Sequence, residues 1–201
     1  MKTTVMGNLS ELPDNVFGLR SIIWWGLMGF MAIEGMAFVL AVGSYLYVRS
    51  LNPDWPPPPD SLPGLLPGIV TTLILIVSEV VNRWLARQAK AMKERSVIFG
   101  LAVMVAFGLA ATAARFFEFP VLHTRWDMNA YGSVVWLLMV LHTLHLLTDL
   151  ADTIVFSIWC WTHEMDPKMF SETYDNCGYW TFVVVAWLPI WALVYLMPRL
   201  T

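Results

Sequence analysis

The stretch Tyr131–Trp161, YGSVVWLLMVLHTLHLLTDLADTIVFSIWCW, constrains the fold more than any other part of the chain. As a helix rising ~1.5 Å per residue it is long enough to cross the ~30 Å hydrocarbon layer of a bilayer with some tilt. Within it stand His142, His145, Asp149 and Asp152. At ~100° per residue these four fall within an arc of roughly 80° on one helix face. The remaining faces are mostly Leu, Val, Met, Ile, Phe and Trp. Ionisable groups at membrane depth are costly and turn toward a bundle interior or a partner. This helix therefore needs other helices to cover its seam.

The chain supplies them. Apolar runs at about 21–48, 65–87, 96–119 and 178–197 join the run at 131–161. Only 13% of the 201 residues are charged and 58% are hydrophobic, where soluble domains run near a quarter charged. The expected fold is all-α and polytopic, with five transmembrane helices in one bundle (residues 21–201) after a short polar arm (residues 1–20). No cleavable signal peptide is expected, because the first apolar run is too long for one. The net charge of -3 offers no basic patch for nucleic acid.

Loops and charges add orientation. Arg49–Gly64 carries four consecutive prolines, Pro56 to Pro59, which favour an extended segment across the membrane surface, with Trp55 as an interface anchor. The polar run after Trp161, THEMDPKMFSETYDNC, reads as a loop flanked by unpaired thiols at Cys160 and Cys177, and Pro189 as a kink in the last span. Lys2, Arg20, Arg83, Arg87, Lys90, Lys93, Arg95 and Lys168 lie on one side, against Arg49, Arg115, Arg125 and Arg199 on the other. By the positive-inside rule the N-terminus is cytoplasmic and the C-terminus outside.

Several polar groups are candidate site residues. Glu34 sits near the centre of the first span, where a carboxylate must be neutral, paired or hydrated, or proton-linked. Gly26, Gly29, Gly35 and Gly43 on the same span permit close helix contact. Arg115 and Glu118, three apart, suit an ion pair or contact with a lipid headgroup. The seam has three readings. One is an intramembrane metal site using His142, His145 and Asp149, with Glu34 or Glu79 adding a carboxylate. A second is a proton or ion pathway. The third is a packing seam whose polar groups bond to facing helices. No Glu-x-x-His pair occurs, and His123 and His163 fall in loops at opposite ends, which leaves a di-iron bundle or a two-histidine haem unsupported. Packing is the reading that these patterns favour, and it names no activity.

A series of motifs does. GLMGFMAIEGMAFVLAVGSYLYVR, the WPP run at Trp55–Pro57, LPGIVTTLILIVSE, FFEF at Phe116–Phe119, YGSVVWLLMVLHTLHLLTD and YWTFVVVAWL at Tyr179–Leu188 stand in order along the chain. Together they resemble subunit III of the haem–copper respiratory oxidases, in its short five-helix bacterial form. The resemblance places Glu34 at the family's buried, carbodiimide-reactive carboxylate and His142 and His145 at its paired histidines. Departures from the pattern are Thr181 and Val184 in place of His and Asp, Thr143 in place of Gly, the acids Asp149 and Asp152, and Glu79 where a small hydroxyl residue is common. The resemblance implies a multi-pass protein of the bacterial inner membrane, a non-catalytic subunit of a proton-translocating cytochrome c oxidase in the aerobic electron transport chain. It would pack against the catalytic subunit I and subunit II, bind phospholipids and support proton uptake, with haem and copper held by those partners and none by this chain. A sister branch, the subunit-III-like protein accompanying nitric oxide reductases, is the alternative; the metalloenzyme is the alternative of another class.

Overall fold

The computed structural model describes residues 22–200; the polar arm, with Lys2 and Arg20, lies outside the described residues. Those residues form five long helices and no strand. They are α1 (Ile22–Leu51), α2 (Leu65–Lys90), α3 (Glu94–Glu118), α4 (Ala130–Thr162) and α5 (Pro167–Trp191), and α5 runs on through a π-helical turn (Ala192–Leu196) and a last turn (Met197–Leu200). All five are long and apolar enough to cross a membrane. The α2–α3 and α4–α5 connections lie at one end, called here the short-turn end; the proline loop and the 119–129 segment lie at the other, the proline-loop end.

Local chemistry explains the boundaries. Arg87 and Lys90 close α2 and Glu94 opens α3, each matching the sign of the helix dipole. Met92, at φ 50°, makes the reversal between them in the left-handed region, a conformation that a residue with a Cβ adopts at some cost. Asn129 caps α4: its Oδ1 accepts from the Gly132 N–H at 2.7 Å while its Nδ2 donates to Asp60 Oδ2 at 2.5 Å, which ties the proline loop to the start of the helix. Asn129→Ala is expected to cost about 1–2 kcal/mol, read as a lower unfolding midpoint in mild detergent. In the same loop two bonds from Arg125 hold the Asp127 carboxyl below the usual carboxylate range.

Three sequence expectations change. The last helix starts at Pro167, not near 178: Asp166 accepts from the Met169 N–H at 2.9 Å and Pro167 follows it, an N-cap with proline in the first turn. The polarity of this segment hid that signal. Its first turns bury Phe170, Thr173 and Asp175, and the expected loop shrinks to residues 163–166. Cys160 and Cys177 are thus both helical, buried and free. Trp55 is an interior wedge rather than a surface anchor. Its Nε1–H donates to Tyr45 Oη at 2.8 Å, and its ring meets those of Tyr45 and Tyr131 edge-on at 5.2 and 4.7 Å. The α1 glycines do not mediate close packing: a Cβ at Gly26, Gly29 or Gly43 meets nothing within 4 Å. Close approaches are instead at Gly68 on α2, where a Cβ would lie 2.8 Å from the Tyr195 ring, and at Gly100 and Gly108 on α3, where it would lie 2.7 Å from Leu85 and Leu150.

Pro189 sits inside α5 and leaves the Val185 carbonyl without its helical donor; the widened π turn begins three residues later.

Candidate functional site

The polar seam resolves into two buried clusters at different depths. The first joins α1, α4 and α5. His145 Nδ1 lies 2.6 Å from the Leu141 carbonyl, which only accepts, so this nitrogen carries the ring proton. His145 Nε2 lies 3.2 Å from Glu34 Oε1, and Tyr179 donates its hydroxyl to Glu34 Oε2 at 2.8 Å. Neither a bare imidazole nitrogen nor a carboxylate oxygen donates, so the Nε2–Oε1 contact holds one proton between them. Glu34, His145 and Tyr179 thus meet in one polar cluster across α1, α4 and α5.

The second cluster lies nearer the proline-loop end and joins four helices around Arg115 and Glu118, both wholly buried. Arg115 donates to Glu118 Oε2 at 2.7 Å and to His142 Nδ1 at 3.1 Å, and its guanidinium carbon stands 4.0 Å from the centroid of the Trp187 ring. Glu118 also accepts from Thr71 at 3.0 Å and from Tyr195 at 2.5 Å. His142 Nε2 donates to the Val183 carbonyl at 3.1 Å, so His142 is neutral, with its Nδ1 lone pair toward Arg115. A buried pair is tolerable only when its remaining donors and acceptors are met. Here three donors serve the carboxylate, while Arg115 Nε alone of the pair's polar atoms has no hydrogen-bond partner. The ion-pair expectation for Arg115 and Glu118 thus takes a deeper form, and lipid headgroups do not reach either residue.

Phe38 packs against both clusters, with its ring centroid 4.8 Å from that of His145 and 6.4 Å from that of His142.

The aspartates behave differently. Asp152 is exposed and leaves the covered seam. Asp149 is only 2% exposed, yet neither of its carboxylate oxygens has a hydrogen-bond partner. It lines a cavity of about 310 Å³ between α1, α4 and α5, together with Asp152, Glu172, Asp175, Asn176 and Tyr179.

As metal ligands these side chains do not fit. Both nitrogens of His142 and both of His145 are engaged with protein partners, and among the described residues no three His, Cys, Asp or Glu side chains converge on one point. Sequence reasoning missed Tyr179, Tyr195 and Thr71 as the groups that serve the buried acids. The signal was available: an acid inside a span needs donors, and Tyr179 and Tyr195 are among the neutral donors along the last helix. Two departures from the family pattern also face each other, since Thr181 donates to Glu79 Oε1 at 3.1 Å. Glu79 is paired further with Arg83 at 2.8 Å, and Asn82 donates to Thr181 at 3.1 Å.

The likenesses to known proteins run nearly end to end. No family model matches the chain. It is 28% identical to cytochrome c oxidase subunit 3 of Synechocystis sp., over 98% of this chain and 88% of that protein. Against the probable cytochrome c oxidase subunit 3 of Nocardia farcinica the identity is 24%, over 90% of this chain and 88% of that one. Against cytochrome c oxidase subunit 3 of Thermostichus vulcanus it is 22%, over 87% of each. Five helices long and apolar enough to cross a membrane make the chain a multi-pass membrane protein, and over nearly its whole length it is similar to subunit 3 of the cytochrome c oxidases.

Proposed function

We propose that the chain is the non-catalytic subunit of a terminal oxidase in a bacterial inner membrane, with its N-terminus cytoplasmic, packed against a haem- and copper-bearing subunit I and against subunit II. One observation carries the reading: the buried imidazoles and the Arg115–Glu118 pair are spent on bonds between this chain's own helices, which leaves them to stabilise a scaffold rather than to hold a redox centre. Haem and copper then belong to the partners. Phospholipid acyl chains suit the exposed apolar faces of α1 and α3, where Ile33, Val39, Phe116 and Phe117 point outward. The orientation rests on exposed basic residues at the short-turn end; Arg115, being buried, drops out of that count.

Gentle purification through a C-terminal tag tests the assignment. Haem bands arriving with a larger histidine-rich membrane subunit are expected, and a colourless preparation without partners would overturn it. Reduction kinetics with oxygen and nitric oxide then separate an oxidase from a nitric oxide reductase complex. Glu34 is the residue for a proton-linked contribution. Glu34→Gln is expected to leave assembly and initial rate intact, because glutamine still accepts from Tyr179, and to shorten the lifetime of activity during sustained turnover. A complex that fails to assemble with this variant would make Glu34 a packing residue only.

A further inference from the structure

The cavity between α1, α4 and α5 has a graded lining. Ile23, Leu27 and Phe30 descend along α1; Phe156, Asp152 and Asp149 along α4; Glu172, Asp175, Asn176 and Tyr179 along α5. The α1 and α4 series step by three or four residues from the short-turn end toward the middle of the bundle and the α5 series spans seven, so the three helices form one funnel about two turns deep. Its mouth carries Asp152, which is exposed, and Glu172, whose side chain is 34% exposed and lies 3.7 Å from Lys168. Its floor is Tyr179, which donates to Glu34.

Asp149 is the group that gives this cavity a use. A carboxyl group that is 98% withdrawn from solvent and has both oxygens unpartnered is expensive to keep in an apolar surrounding. The charged groups that face it are Glu34 on α1, Asp152 on its own helix, and Glu172 and Asp175 on α5, all of them acids. Among the described residues no lysine or arginine lines the cavity. At about 310 Å³ it has room for several waters, which need about 30 Å³ each. Water inside would lie against Asp149, whose unpartnered oxygens are withdrawn behind the lining, and against Tyr179.

We propose that this cavity is a water-filled inlet through which protons from the short-turn end reach the Glu34–His145 pair, with Asp149 as the relay. This rests on the reading of Glu34 as a proton-linked carboxylate. In the loading direction a hydronium ion gives its proton to the Asp149 carboxylate, leaving water and a neutral carboxyl. The carboxyl passes the proton through water to the Tyr179 oxygen as the Tyr179 hydroxyl proton moves to Glu34. The phenol and the Asp149 carboxylate are thereby restored and Glu34 carries the proton on Oε2; a turn of the carboxyl group then presents it to His145 Nε2, where the 3.2 Å contact requires one. The path ends there: the ring packed on His145 is Phe38, which carries no group to pass a proton on to His142.

The test is infrared hydrogen–deuterium exchange on the full chain, with whatever partners co-purify, in lipid nanodiscs. The bands lost in Glu34→Gln mark the pair, and their isotope shift is timed after transfer to D₂O. Asp149→Asn removes the relay, and Leu27→Trp fills the funnel without changing a titratable group. Both are expected to slow exchange of the marked bands about tenfold, less than the ~10²–10⁴ typical of losing a positioned acid or base, because some water still enters. Exchange as fast as in the wild type in either variant overturns the inlet. The readout is independent of haem, so failure of the oxidase assignment would appear as a missing partner and not as a changed exchange rate.

Discussion

Glu118→Leu is expected to give the largest loss of stability of any single substitution, about 3–5 kcal/mol, because it strands the Arg115 cation inside the bundle. The carboxylate accepts from Arg115 on its own helix, from Thr71 on α2 and from Tyr195 after α5. Its removal therefore unties three helices at one point. Little folded protein should accumulate, and what does should melt well below the wild type in mild detergent. The double substitution Arg115→Met with Glu118→Leu should recover most of the loss, since apolar groups of similar volume often replace a buried pair at no net cost. Recovery should remain incomplete, because His142 Nδ1 and the Tyr195 hydroxyl then lose their partners. A double variant no more stable than the single one would move the cost from the stranded cation to the hydrogen bonds of Thr71 and Tyr195.

Gly132→Ala should be nearly as damaging, for a steric reason. A Cβ there would stand 2.0 Å from the Arg125 carbonyl oxygen and 2.8 Å from Thr124 Oγ1. The nearest obstacle is backbone, so relief requires moving the 123–129 loop or the first turn of α4. Either movement disturbs the Asn129 cap and its bond to Asp60. The expected cost is about 3 kcal/mol, the upper end for overpacking. Gly178→Ala is the matched control. It is helical with nothing within 4 Å of an added Cβ, and should stabilise the chain by up to about 1 kcal/mol. Equal melting points for the two variants would contradict the tight turn at Gly132.

Which parts of this architecture were legible in the sequence follows from what each signal measures. Long apolar runs report the demand of hydrocarbon for internally bonded backbone, so five helices could be counted from composition alone. Hydrophobicity says nothing about where a helix ends once it leaves the apolar layer. That is why the polar turns of α5 before Gly178 were taken as loop, although Asp166–Pro167 marks the start. The face shared by His142, His145 and Asp149 was readable from the 3.6-residue period, and all three are buried. Their partners were not readable. Glu34 and Tyr179 are separated by 145 positions, Glu118 and Tyr195 by 77, and no local pattern encodes such a meeting. Glycine misled for a related reason: the glycines of α1 look like a contact surface in sequence, but whether a helix face meets protein or lipid depends on neighbours that the chain does not name locally.

Phe38 carries a consequence for energy conversion. A continuous chain of hydrogen bonds from one face of the membrane to the other would conduct protons down a potential worth about 2.3 kcal/mol per charge at 100 mV. An accessory subunit that did so would discharge the gradient its complex builds. The Phe38 ring, buried at 7% exposure and packed against both histidines, offers no atom through which a proton hops. With Glu34 and His145 read as the end of a proton inlet, this ring is the insulator: charge taken up there would leave by the route it entered. On that reading, replacing the ring by a hydroxyl-bearing or smaller side chain would turn a storage site into a leak.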